Sequence, residues 1–182
     1  WADLRRSTRL LDWGERDRPV FCQIFGPDPE SMAEAARICK ERGADGIDIN
    51  MGCPVRKVVS QRAGADLLRD LPRAREIVAA VVEAARPLAV SVKTRKGWSE
   101  GDKSGRKIAE CAAELGAAFV TVHARAVEQG FSGEPDVSFL ERVASEVPIP
   151  IVGNGGVKSP SEALRMIEEA GCAAVMVGRA LM

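Results

Sequence analysis

The chain has 182 residues, 46% hydrophobic and 29% charged, with 26 Lys+Arg against 26 Asp+Glu. That composition excludes a disordered tail and a collagen-like repeat, and no apolar run approaches the ~20 residues of a membrane-spanning helix. A net charge of zero and 4% aromatics without tyrosine also argue against a strongly basic nucleic-acid domain and a base-stacking platform.

After a charged opening, short β-branched apolar runs alternate with helical periodicity. The first strand is expected at 20–25. Asp28-Pro29 then supplies an N-cap and first helical position, Met32, Ala36 and Cys39 share one face, and Gly43 ends the helix. A second strand at 46–49 precedes a helix with the stripe Ile77, Val78, Val81, Val82 and Ala85. A third at 89–93 leads to Ile108, Cys111, Ala112 and Leu115, closed by Gly116. The fourth, at 119–123, is followed by a short helix near Phe139, Leu140 and Val143. The fifth, at 149–153, runs to a capping box, Ser159-Pro160-Ser161-Glu162, whose helix ends at Gly171 before a sixth strand at 174–178. Runs apolar on consecutive positions predict strands covered on both faces, and the alternation predicts an α/β fold with a parallel sheet.

Two architectures fit six strands. A doubly wound dinucleotide-binding sheet needs GxGxxG after its first strand, and Phe25-Gly26-Pro27-Asp28 stands there instead. A (β/α)8 barrel places functional residues at the carboxyl ends of several strands and grips phosphate after the last two. The unusual residues here follow that second pattern.

Gln23 lies on the first strand, and Asp48-Ile49-Asn50-Met51-Gly52-Cys53-Pro54 ends the second. The third carries Lys93 and Arg95, the fourth ends in His123-Ala124-Arg125, and the last two end in Asn154-Gly155-Gly156 and Gly178-Arg179. Cys53 sits in a Gly-Cys-Pro turn followed by Arg56 and Lys57, an electropositive setting for a proton donor or nucleophile. Lys93 inside an apolar strand calls for an anion or ligand. His123 is the single histidine, placed beside Arg125. Asp48 reads equally as a brace for its loop. Taken as a cluster, Lys93, Arg95, Lys96, Lys103, Arg106 and Lys107 also allow a surface reading, which the apolar strand around Lys93 disfavours for that residue. The other cysteines, Cys22, Cys39, Cys111 and Cys172, read as core. Five cysteines without CxxC spacing argue against a disulfide framework or a zinc cage and fit a reducing cytoplasm. Opening at Trp1, the chain reads as an internal piece of a longer protein.

These stretches resemble the tRNA-dihydrouridine synthase family. The matching segments are Gln23-Ile24-Phe25-Gly26, Asp48 through Val58 with Ala63-Gly64-Ala65, and Val90 through Trp98. His123-Ala124-Arg125, Gln129 through Gly133, Gly153 through Gly156 and Val175 through Arg179 follow in the family's order. The Asn-Met-Gly-Cys-Pro segment is the specific part; the Asn-Gly-Gly and Gly-Arg ends are common to many flavin barrels. The departures are Ala124, Phe131 and Gly156, where the family often has Gly, Tyr and Asp or Ser, and Val137-Ser138 in place of an aromatic.

The resemblance implies a partial (β/α)8 barrel over 1–182, covering about strands three to eight, with the first two strands and a C-terminal helical domain absent. It implies FMN bound by Gln23, Lys93, His123, Asn154, Gly155, Gly156, Gly178 and Arg179, with NADPH as reductant. The implied substrate is a tRNA uridine, flipped from its stack, contacted by Asn50, Arg56, Lys57 and Arg125 and reduced to 5,6-dihydrouridine. Hydride reaches C6, Cys53 protonates C5 as general acid, and Lys93 and His123 stabilise negative charge. No metal and no membrane are implied, and oligomeric state is left open. The competing readings are a dihydroorotate or dihydropyrimidine dehydrogenase-like flavin enzyme acting on free pyrimidines, and a non-catalytic phosphate- or RNA-binding remnant.

Overall fold

The computed structural model describes residues 11–178. Each expected strand forms: β1 Phe21–Ile24, β2 Gly46–Met51, β3 Ala89–Arg95, β4 Phe119–His123, β5 Ile151–Asn154 and β6 Ala174–Met176. The long helices are α1 Pro29–Glu41, α3 Leu71–Ala85, α4 Ser104–Glu114, α5 Val137–Glu146 and α6 Pro160–Glu168, with a short α2 over Arg56–Val59. A 3-10 segment over Gly64–Arg69 lies between α2 and α3.

The helices start where side chains can satisfy free N–H groups. Asp28 accepts from Ser31 N at 2.8 Å, Asp70 from Arg73 N at 3.2 Å and Asp136 from Phe139 N at 2.9 Å. At α6 the capping box closes in a shifted form: Ser159 Oγ accepts from Glu162 N at 3.3 Å, while Glu162 Oε2 accepts from Lys158 N at 2.6 Å. Gly43, Gly116 and Gly171 follow α1, α4 and α6 with φ of +80°, +88° and +65°. That left-handed conformation is the one in which glycine ends helices without strain.

All six strands are parallel and neighbours in sequence are neighbours in the sheet, in the order β1-β2-β3-β4-β5-β6. Parallel crossovers are right-handed, so an order that never reverses puts every connecting helix on the same face. A doubly wound sheet needs a reversal of order; the wall of a (β/α)8 barrel does not. The described residues therefore form six consecutive strands of a barrel wall, joined by five helical crossovers.

The register separates the two faces. Ile47, Ile49, Val90, Val92, Val120, Val122 and Ile151 pack with Ala36, Cys39, Ile77, Val81, Ile108, Ala112 and Leu140 in one core. Truncating any of the larger ones to alanine should cost about 2–5 kcal/mol. The alternate residues form polar rows on the other face: Gln23, Asp48 and Ser91 are in register, then Asn50, Lys93 and Thr121, then Arg95, His123 and Asn154. The central strands β2 and β4 are covered on both faces, as expected, but the second face is largely polar. One half of the strand residues meets the helices, and the other half lines the barrel interior, where the Phe21 and Phe119 rings pack together below the polar rows.

Candidate functional site

The polar rows open, at the carboxyl ends of the strands, into a cleft of about 830 Å³. Of the residues expected at the site, Gln23, Asn50, Cys53, Lys93, His123, Arg125, Asn154, Gly155, Gly156 and Gly178 all line it. Arg56 and Lys57 are exposed on α2, just beyond Pro54, and do not line it. Arg179 lies outside the described residues.

A continuous hydrogen-bond chain crosses the first three strands. Ser91 Oγ donates to Asp48 Oδ1 at 2.7 Å, and Gln23 Nε2 donates to Asp48 Oδ2 at 2.6 Å. Asn50 Nδ2 donates to Gln23 Oε1 at 2.8 Å. Asn50 Oδ1 in turn accepts from the backbone N–H groups of Gly52 and Cys53, at 3.1 and 3.0 Å. The far side of the same turn is fastened by Ala65 N, which donates to Cys53 O at 3.0 Å. Gly64 makes that approach possible: its φ is +61°, and a Cβ there would stand 2.8 Å from Cys53 O. Cys53 itself remains partly exposed.

The Lys93 ammonium makes no hydrogen bond or ion pair with another described residue. Burial is the main reason its pKa falls below the ordinary lysine value; Arg95 pushes the same way, while Asp48 and Cys53 oppose. His123 is 7% exposed and its Nδ1 is buried without a hydrogen-bond partner among the described residues. Burial, then the charges of Arg95, Lys93 and Arg125, lower its pKa to about 3, against a small opposing pull from the Arg125 backbone. The imidazole is therefore neutral at physiological pH, able to offer one N–H and one acceptor nitrogen.

Arg95, read from the sequence as surface, is 3% exposed and acts as a clamp. Its Nε donates to Gly52 O at 3.1 Å, and its Nη1 to Ala126 O at 3.0 Å and Gly130 O at 2.9 Å. One guanidinium thus ties the Cys53 turn to the loop after β4, where the Phe131 ring lies 5.5 Å from it and 6.3 Å from His123. Lys96, also read as surface, pairs with Asp136 at 2.7 Å. Arg125 is buried and spends Nε and Nη2 on Gly133 O, at 3.0 and 2.8 Å. These roles were hidden because each partner lies 8 to 43 residues away in sequence. The alternation of polar residues in β2 and β3 was the one signal pointing to them.

Across the cleft, Asn154 Nδ2 donates to Met176 O at 2.8 Å, joining the ends of β5 and β6. Gly155 and Gly156 follow with φ of +109° and +77°. A Cβ on Gly155 would meet His123 Nε2 at 3.1 Å, so glycine here keeps the imidazole face clear. Among the described residues, no group of three His, Cys, Asp or Glu could hold a metal ion, and no helix is long and apolar enough to cross a membrane.

Comparison with known proteins places the chain. Residues 4–182 match the family described as Dihydrouridine synthase. The chain is 38% identical over 176 residues to tRNA-dihydrouridine synthase B of Xanthomonas axonopodis pv. citri, covering 97% of this chain and 53% of that one. It is 39% identical over 180 residues to the protein of the same name from Pseudomonas aeruginosa, covering 99% and 54%. The chain thus spans about half the length of the curated relatives it matches. Among solved structures it is similar to a putative lyase/mutase from Burkholderia cenocepacia, with a TM-score of 0.60, 21% identity, and 86% of this chain and 52% of that one covered. It is also similar to a mandelate racemase/muconate lactonizing enzyme from Roseiflexus sp., with a TM-score of 0.62, 15% identity, and 87% and 40% covered. At these identities the likeness concerns the fold alone.

Proposed function

The chain belongs to the dihydrouridine synthase family, and on that premise we propose that its cleft holds FMN and reduces a tRNA uridine to 5,6-dihydrouridine, with NADPH as reductant, in the cytoplasm. In this reading the chain is part of the (β/α)8 catalytic domain of the enzyme. The observation that carries it is the convergence of a partly exposed thiol, Cys53, with Lys93 and His123 in one cleft.

The residues fit a flavin on their own chemistry. Lys93 is a desolvated cation without an ion pair, and the buried Nδ1 of His123 lacks a partner. A polar ring bearing carbonyl oxygens and partial negative charge would answer both. Gln23 and Asn50 each give one amide hydrogen to the chain of hydrogen bonds and keep a second for a ligand carbonyl. The left-handed backbone of Gly155 and Gly156, after the fifth of six described strands, and Gly178, after the last, suit a phosphate grip with Arg179.

Bound FMN supplies the hydride for C6 of the uracil. This chain's own residues do the rest. The Cys53 turn, held on both sides, presents Sγ to deliver a proton to C5. Lys93 supplies positive charge beside the oxygens on which negative charge gathers, and neutral His123 contributes a hydrogen bond rather than a charge. Asn50 places the uracil edge. Arg125, anchored on Gly133, stands at the substrate side, and Arg56 and Lys57 are free to meet the tRNA backbone outside the cleft. The test is direct: tRNA from cells lacking the native-length protein should lose dihydrouridine at one position. An unchanged dihydrouridine content would overturn the reading.

A further inference from the structure

We infer that Asp48, held by Ser91, is a positioning residue that sets the polarity of Gln23 and Asn50 and so clamps the Cys53 turn. The argument rests on donor and acceptor bookkeeping along the chain of hydrogen bonds. A carboxylate only accepts, so the group facing Asp48 Oδ2 must be the Gln23 amino group. Gln23 Oε1 is then forced toward Asn50 and can only be met by Asn50 Nδ2. That choice fixes Asn50 Oδ1 on the side of the turn, where it can accept from Gly52 N and Cys53 N. Reversing any link would set donor against donor at the next. Asp48 is 7% exposed, and both its oxygens are used, one by Ser91 and one by Gln23. It therefore orients two amides without meeting Cys53.

The same polarity decides what the cleft offers. Asn50 Oδ1 accepts twice and Gln23 Oε1 once inside the chain, so each amide keeps one spare N–H donor, beside a single free lone pair on Gln23 Oε1. The inference rests on the proposed function for its catalytic consequence, but the clamp itself is a property of the turn.

The test compares Asp48→Ala, Asp48→Asn and Ser91→Ala in the native-length protein, in a Cys111→Ser background that leaves Cys53 the partly exposed cysteine among the described residues. The first readout is the rate of Cys53 alkylation by iodoacetamide, located by peptide mass. Asp48→Ala should raise it several-fold, because the turn loses its fixed acceptor. Asp48→Asn should restore it toward the parent rate, since an asparagine can turn its oxygen to Gln23 and its amino group to the Ser91 hydroxyl. The second readout is dihydrouridine formation, where a loosened turn should lower kcat, counted per flavin-loaded enzyme, by about 10–100-fold in Asp48→Ala. Should Asp48→Ala not fold, Ser91→Ala carries the comparison, with a smaller change in the same direction. Equal alkylation in parent and variants, or an asparagine variant as fast as the alanine one, would overturn the clamp. A parent protein that makes no dihydrouridine yet shows the alkylation pattern would overturn the proposed function and leave the clamp standing.

Discussion

His123 gives the sharpest electrostatic prediction because the chain has no other histidine. Its folded pKa of about 3 lies below the ordinary value of 6.5, with burial the largest cause and the charges of Arg95, Lys93 and Arg125 next. The sign follows from linkage. As pH falls below 6.5 the unfolded chain takes up a proton that the folded chain refuses, so stability falls. It should fall from about pH 6.5 toward pH 3 and be level above that window. At 1.36 kcal/mol per pKa unit the whole effect is about 5 kcal/mol. The assay is a urea titration of the flavin-free, native-length protein at several pH values, beside His123→Asn, which should lack this slope while sharing the slopes of the carboxylates. The imidazole proton resonance that vanishes in His123→Asn reports the pKa directly. Replacing Arg95 with Met should move that midpoint upward, since one of the opposing charges is gone. A midpoint near 6.5 with no stability slope would refute the reasoning, and would mean that the imidazole is solvated or paired.

Three further outcomes follow from the geometry. Arg95→Met should lower stability by about 3–5 kcal/mol, read from denaturant midpoints, because three backbone carbonyls lose a buried cation; Arg95→Lys should recover only part, having no fork to reach all three. Gly156→Ala should cost about 1–3 kcal/mol, since a Cβ there needs a positive φ; it would also stand 2.6 Å from Pro135 Cγ. Asp136→Ala should cost about 1 kcal/mol through the lost α5 cap and more through the unpaired Lys96, whereas Asp136→Asn keeps the cap and isolates the ion pair.

The fold was legible because local chemistry and global architecture agree. Asp28-Pro29 and Ser159-Pro160 mark helix starts, Gly43 and Gly116 mark helix ends, and the strand runs lie between them. From the sequence, the missing GxGxxG and the polar residues at the strand ends favoured a barrel over a doubly wound sheet, although strand order itself is a long-range property. The uninterrupted order β1 to β6 decides it. The 3-10 segment Gly64–Arg69 went unpredicted because it carries no periodic apolar stripe; the turn chemistry of Cys53 and Gly64 shapes it. At the site, the strand-end residues that line the cleft could be named from the sequence, whereas Glu134, Lys158 and Glu162, which line it from a loop and a helix, could not. Neither could the residues that hold the strand-end groups. Asp48 read equally as brace or site, and its partners Ser91 and Gln23 lie 43 and 25 positions away. Arg95 and Lys96 looked like members of a solvated basic run, and only the packing of the β4 loop against β3 turns them inward.

The account stands or falls on Cys53. In the native-length protein, Cys53→Ala should leave FMN content and the rate of flavin reduction by NADPH nearly unchanged. Dihydrouridine formation from tRNA should fall by about 10²–10⁴-fold, the usual worth of a general acid. The measurement is the pair of rates on one preparation. A loss confined to the tRNA step is the predicted result. Equal loss in both would make Cys53 structural, and no loss in either would move the proton donor elsewhere and contradict the central claim.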